Sequence, residues 1–257
     1  MTTASGGVLI IGACHEDVAK AIALLALARV MNADFPFRIV GFDLDGTLLD
    51  TSGDLAAAVN HALTSVGRPA LSVEKVRPMI GGGARHMLAQ GMAATGGCTE
   101  EELDVLQRRL LDYYAANIAD KTRPFPGCLE ALDDLAGRGV RLAVVTNKLE
   151  HLAREVLDAL HLTSRFDVII GGDTMGPGRG KPAPDPVLAM VERCGGGSAA
   201  FVGDSIYDVQ SAQAAGLPVV ACSFGFLQQP VETLDAEAVI DQYDELIPTL
   251  VRLGAPA

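Results

Sequence analysis

Positive charge is scarce in this chain. Twenty Lys and Arg residues stand against 32 Asp and Glu, a formal net charge of -12. No stretch gathers the cations, which argues against nucleic acid or an anionic membrane surface as a main partner. Cysteine is sparse as well. The five cysteines are Cys14, Cys98, Cys128, Cys194 and Cys222, odd in number and without close pairing. They make neither a disulfide frame nor a zinc motif and read as reduced, mostly buried side chains of a cytoplasmic protein. No apolar run reaches membrane-spanning length. No Lys or Arg precedes the first apolar run, and Cys14-His15-Glu16-Asp17 interrupts it, so a signal peptide is not expected.

What is present is ordinary for a folded domain: 257 residues, 49% hydrophobic and 20% charged. That length suits one large α/β domain or a core with a smaller insert. Residues 1–34 are expected to be an N-terminal appendage of uncertain role. Within it Val8–Ile11 has strand character and Asp17–Val30 a helical Ala/Leu pattern, and Met31 could itself be a start. Catalysis is expected not to need the segment before Met31.

The rest of the chain is organised around Ile39-Val-Gly-Phe-Asp43-Leu-Asp45-Gly46-Thr47-Leu-Leu-Asp50. Ile39 to Phe42 reads as a strand buried on both faces. Side chains alternate along a strand, so Asp43 and Asp45 leave its end on the same side. Open α/β sheets bind ligands at that carboxyl edge, and Gly46 permits a sharp turn. From residue 52 to residue 121 the pattern is helical. Leu55, Val59, Ala62, Leu63 and Val66 fall on one face, Gly81-Gly82-Gly83 opens a second helix, and Thr99 to Glu102 forms a capping box. The helix after that box carries Leu103, Leu106, Leu110 and Tyr113 on one stripe. Strand and helix then alternate, with strands expected at Leu142–Thr146, Val168–Ile170, Ala199–Val202 and Val219–Ala221. The expected fold is α/β: a Rossmann-like, parallel five-stranded sheet with helices on both faces, and an inserted all-helical cap. The expected division is residues 35–51 and 122–257 for the core and residues 52–121 for the cap.

Polar residues follow these strands in turn. Asp43 and Asp45 follow the first, Thr146 and Asn147 the second, Lys181 lies in the loop after the third, and Asp204 and Asp208 follow the fourth. Each alone has an ordinary structural reading as a cap, turn or solvated loop residue. Their convergence on one sheet edge points to a site.

In these motifs the chain resembles the haloacid dehalogenase-like superfamily, in its phosphatase branch. Asp43-Leu-Asp45-Gly46-Thr47 matches the first signature, Thr146-Asn147 the second, Lys181-Pro182 the third, and Gly203-Asp204-Ser205 with Asp208 the fourth. The helical insert, Gly171-Gly-Asp173-Thr174 and Lys181-Pro-Ala-Pro-Asp-Pro186 are most similar to phosphoglycolate phosphatases. The resemblance implies hydrolysis of a small phosphate monoester, 2-phosphoglycolate in particular, through an aspartyl-phosphate. It implies Asp43 as nucleophile, Asp45 as acid and base, and Thr146, Asn147 and Lys181 as phosphate ligands. It implies Mg²⁺ on Asp43, Asp204 and the Asp45 carbonyl, with Asp208 behind them. Gly82 and Arg85 are expected to bind the substrate from the cap. A phosphatase or phosphomutase acting on a sugar phosphate, or a haloacid dehalogenase, is the alternative. A monomer or homodimer with a small phosphorylated substrate is expected.

Overall fold

Strand β1, Ile39–Phe42, runs through the middle of the molecule, and Ile39, Val40 and Phe42 have no exposed surface. The computed structural model describes residues 35–255, so the expected appendage, residues 1–34, lies outside the described residues. β1 pairs in parallel with β4, Arg141–Val145, on one side and β6, Ala199–Gly203, on the other. β5, Val168–Ile170, extends the sheet beyond β4, while β7, Val219–Cys222, and β8, Ala238–Ile240, extend it beyond β6. The order is β5-β4-β1-β6-β7-β8, all parallel. The expected parallel sheet is present with one strand more. β8 lies at the edge, where Val239 stays 41% exposed and leaves little hydrophobic signal.

After β1 the chain crosses to β4 and β5, then returns to β6 on the opposite side. The strand order therefore reverses at β1, and a crevice opens at its carboxyl end. Helices α5 (Cys128–Gly137), α6 (Glu150–Ala159), α7 (Asp185–Arg193), α8 (Ile206–Ala214) and α9 (Leu246–Leu253) connect or follow the strands. One cluster of the sheet core joins Ile39, Val145 and Phe201 to Val187 and Met190 of α7.

The helical insert leaves and returns through a short antiparallel pair, β2 (Leu49–Asp50) and β3 (Arg123–Pro124). It contains α1 (Ser52–Thr64), α2 (Val73–Val76), α3 (Ala84–Ala94) and α4 (Glu100–Ala116). Thr99 and Glu102 form the capping box of α4, with Thr99 Oγ1 accepting from the Glu102 N–H. Leu55, Val59, Leu88, Leu106 and Leu110 share a second hydrophobic cluster, to which the core contributes Leu152 and Phe226. One detail of α4 departs from the expected stripe. Tyr114, not Tyr113, is buried, and the Tyr113 ring stacks on His61, 4.4 Å between centroids, at the partly exposed side. Positions 113 and 114 both satisfy a 3.6-residue period after Leu110, so periodicity alone does not separate them.

Among the described residues, Cys98 is exposed, Cys128, Cys194 and Cys222 are buried, and all four are free thiols. No helix among them is long and apolar enough to cross a membrane.

Candidate active site

The three central strands β1, β4 and β6 end side by side, and their next residues carry the polar side chains. Asp43, Asp45, Thr146, Lys181, Asp204 and Asp208 are all buried at this edge. The turn after Asp45 is tight. Gly46 has φ of +87°, and a Cβ there would press into the Asp204 carboxylate. Thr47 Oγ1 donates to Asp204 Oδ1 at 2.8 Å, and the Phe226 N–H donates to Asp204 Oδ2 at 2.6 Å.

Two separate charge groups result. In the first, Lys181 Nζ lies 2.9 Å from Asp43 Oδ1 and is also paired with Asp208. Asp208 Oδ2 accepts from the Ser205 N–H and hydroxyl at 2.9 and 2.6 Å and from the Asp204 N–H at 3.3 Å. Asp208 thereby sets the loop that carries Asp204. Burial raises the Asp43 carboxyl to about 7; Lys181 pulls it down, while Asp208 and Asp45 push it up. Burial likewise raises Asp204, with Asp208 and Asp43 adding to it. Lys181 stays charged: burial opposes this, and Asp208 and Asp43 outweigh burial.

In the second group Asp45 is held from both sides. Thr51 Oγ1 donates to its Oδ1 at 2.7 Å, and Lys148 Nζ is 3.0 Å from its Oδ2. Lys148 also lies 3.1 Å from Tyr114 Oη. Burial lowers the Lys148 pKa, yet Asp45 and Tyr114 more than offset it, and the net shift is upward. Two carboxylates two residues apart thus have different partners and different surroundings.

Asp43, Asp45, Thr146 and Lys148 line a cavity of about 200 Å³. Its far wall is the glycine loop of the insert, Gly81 to Gly83, with Ala84, Arg85 and Tyr114. The loop is pinned to the core, because Asn147 Nδ2 donates to Gly81 O at 2.9 Å and to Lys181 O at 3.0 Å. Gln228 Nε2 adds a bond to Ile80 O at 2.7 Å. Asn147 therefore ties three segments together with its amide.

Residues 40–222 match the family described as haloacid dehalogenase-like hydrolase. The chain belongs to that family. Among its relatives is a protein of Caulobacter vibrioides named phosphoglycolate phosphatase, 44% identical over 79% of this chain and 86% of that one. Another of the same name, from Agrobacterium fabrum, is 37% identical over 81% of this chain and 90% of that one. Of the solved structures, a predicted phosphoglycolate phosphatase of Haemophilus somnus has 30% identity and a TM-score of 0.77, covering 83% of this chain and 98% of that one.

The haloacid dehalogenase-like site fits a hard divalent cation. Asp43, Asp204 and Asp208 each bring a carboxylate oxygen within 4.8 Å of the others. Asp43 Oδ1 is buried, and the Lys181 ammonium beside it stands outside hydrogen-bonding geometry, so this oxygen accepts no hydrogen bond. Two buried ammonium groups, Lys148 and Lys181, are outnumbered by four buried carboxylates, Asp43, Asp45, Asp204 and Asp208, and neither pairs with Asp204. The donors are hard oxygens, which suit Mg²⁺.

The structure thus gathers Asp43, Asp45, Thr146, Asn147, Lys181, Asp204 and Asp208 at one edge, with Gly82 across the cavity. Arg85 already has partners within the insert. It lines the cavity, but its guanidinium pairs with Glu100 and Asp104 of α4 and accepts no buried role, with 40% of the side chain exposed. Its charge is already offset from the insert's own surface. Sequence reasoning passed over Lys148 and Tyr114. Lys148 stands two residues beyond Thr146 at the end of β4, and that position was the available signal. Tyr114 gave none, because its partner is far away in the chain.

Proposed function

We propose that this chain hydrolyses a small phosphate monoester, 2-phosphoglycolate, in the cytoplasm and with Mg²⁺. The observation that carries the reading is the pair of buried acids with separate partners, Asp43 beside Lys181 and Asp45 beside Lys148 and Thr51. The relatives' names supply the substrate, and the free thiols support the compartment.

In this reading Asp43 attacks phosphorus, and its oxygen forms a bond there as the ester bond to the leaving oxygen breaks. Asp45 gives its proton to the leaving alkoxide. It then takes one from the water that attacks the aspartyl-phosphate, releasing inorganic phosphate and restoring Asp43. Lys181 and Thr146 hold the phosphoryl oxygens, and Asn147 orients Lys181 through its main chain. Asp43, Asp204 and the Asp45 carbonyl would hold Mg²⁺, with Asp208 ordering Asp204. When bound, that ion offsets the charge of the phosphate dianion against the anionic nucleophile. Residues 52–121 act as a cap that closes the site and excludes water.

Phosphate release from 2-phosphoglycolate tests this directly. The wild type is expected to turn over with Mg²⁺ and stop in EDTA, and folded Asp43→Asn is expected to show no turnover. Wild-type-like release by that variant would end the nucleophile assignment.

A further inference from the structure

We infer that Lys148, supported by Tyr114, binds the carboxylate of the substrate's leaving group. The inference rests on the phosphatase reading above and concerns how that site selects its ester. Lys148 is 8% exposed and lines the cavity beside Asp45. An ammonium has three protons. Tyr114 Oη accepts a hydrogen bond from it at 3.1 Å and Asp45 Oδ2 is its ion-pair partner at 3.0 Å, which leaves donor capacity for a ligand.

The position follows from the chemistry. Asp45 protonates the ester oxygen. In an ester such as 2-phosphoglycolate, a single methylene separates that oxygen from a carboxylate. Of the two side chains that hold Asp45, Thr51 and Lys148, only Lys148 lines the cavity, so Lys148 is the one placed to meet that carboxylate. An unpaired carboxylate brought beside Asp45 in a buried cavity would meet like charge. Lys148 removes that penalty, and a substrate without the carboxylate gains nothing from it. Arg85, the other cation on the cavity wall, is held by Glu100 and Asp104. The Tyr114 ring also lies against the ammonium, 4.4 Å from Nζ to centroid. Tyr114 belongs to α4 and Lys148 to the core, so the carboxylate site is shared between insert and core.

The rival is that Lys148 only neutralises Asp45, which would affect every ester alike. Two comparisons separate these. The first is kcat/KM for 2-phosphoglycolate and for 2-hydroxyethyl phosphate, which carries a hydroxymethyl group in place of the carboxylate. The second is calorimetric binding of 3-phosphonopropionate and 3-hydroxypropylphosphonate, which differ in the same way and cannot be hydrolysed. Lys148→Met is expected to lower the preference for the carboxylate member of each pair by about 10- to 100-fold, the worth of one charge-assisted hydrogen bond. Lys148→Arg should recover part of the preference. Tyr114→Phe, which keeps the ammonium, should lose a smaller part and serves if Lys148→Met does not fold. An equal fall on both esters, with unchanged relative binding of the phosphonates, would overturn the inference. If the wild type cleaves neither ester, the phosphatase reading fails, and the phosphonate pair still decides whether Lys148 selects the carboxylate.

Discussion

Asp54 Oδ2, near the start of the insert, accepts hydrogen bonds from the Thr122 N–H at 2.9 Å and its hydroxyl at 2.7 Å, 68 residues further along the chain. The Lys121 N–H donates to the same carboxylate at 3.0 Å. Asp54 is 3% exposed and Thr122 is 1% exposed. One buried side chain thus closes the place where the insert leaves and where it returns. Its donors include two main-chain N–H groups that no helix or strand satisfies.

Asp54→Ala should therefore destabilise the protein. Leaving buried donors without a partner costs about 1–3 kcal/mol per group, so a loss of roughly 2–4 kcal/mol is expected. For a chain of this size that lowers Tm by about 5–12 °C. Activity should fall as well, because the crossing of the two connections sets how the glycine loop meets Asn147. A Tm within a degree of wild type would show that Asp54 does not bind the two connections together.

Mg²⁺ should stabilise the folded protein, and the effect should depend on pH. At about 100 times its Kd an ion bound only to the native state adds about 2.7 kcal/mol, or roughly 5–10 °C in Tm. Asp43 in the metal-free protein titrates at about 7. Below that pH a bound ion must displace a proton, and above it the carboxylate is already anionic. The Mg²⁺-induced shift should accordingly be larger at pH 8 than at pH 6, and Asp204→Asn should abolish it at both. Equal shifts at the two pH values, or a shift that survives Asp204→Asn, would place the ion elsewhere.

Arg85→Ala is expected to change little. Its partners Glu100 and Asp104 have side chains 82% and 60% exposed, and such pairs contribute about 0.2–1 kcal/mol. Under threefold loss in kcat/KM on 2-phosphoglycolate is expected. A loss of 30-fold or more confined to carboxylate substrates would return the anion-binding role to Arg85.

Most of the candidate site was legible in the sequence because it is local. Ile39 to Asp45 carries both the strand and its acids, and Thr146 and Asp204 likewise sit directly after buried runs, while Lys181 follows a longer loop. Side chains whose meaning depends on distant partners were not legible. Lys148 looked like one more residue of a strand-end turn until Tyr114 and Asp45 appeared on either side of it. The expectation that Arg85 binds the substrate could not include Glu100 and Asp104, which α4 places against it. β8 was missed for another reason: it is three residues long and lies at the sheet edge, so only Ile240 is fully buried.

Asp45 offers the sharpest separation of chemical steps. In the proposed mechanism it assists departure of the leaving group as an acid, and attack of water on the aspartyl-phosphate as a base. A p-nitrophenolate ion departs without a proton, whereas an alkoxide does not. Asp45→Asn should therefore still form the aspartyl-phosphate from p-nitrophenyl phosphate but hydrolyse it slowly. The expected record is a burst of about one p-nitrophenolate per enzyme followed by a slow phase. With an alkyl ester both steps lack assistance, and neither burst nor turnover should appear, a loss of about 10²–10⁴-fold for the first step alone. Asn also removes the anionic partner of Lys148, which leaves a buried cation and costs about 3–5 kcal/mol. Thermal unfolding should be followed on the same samples to confirm that the variant is folded at the assay temperature. A linear, equally slowed release from aryl and alkyl esters in folded protein would show that Asp45 serves neither as acid nor as base.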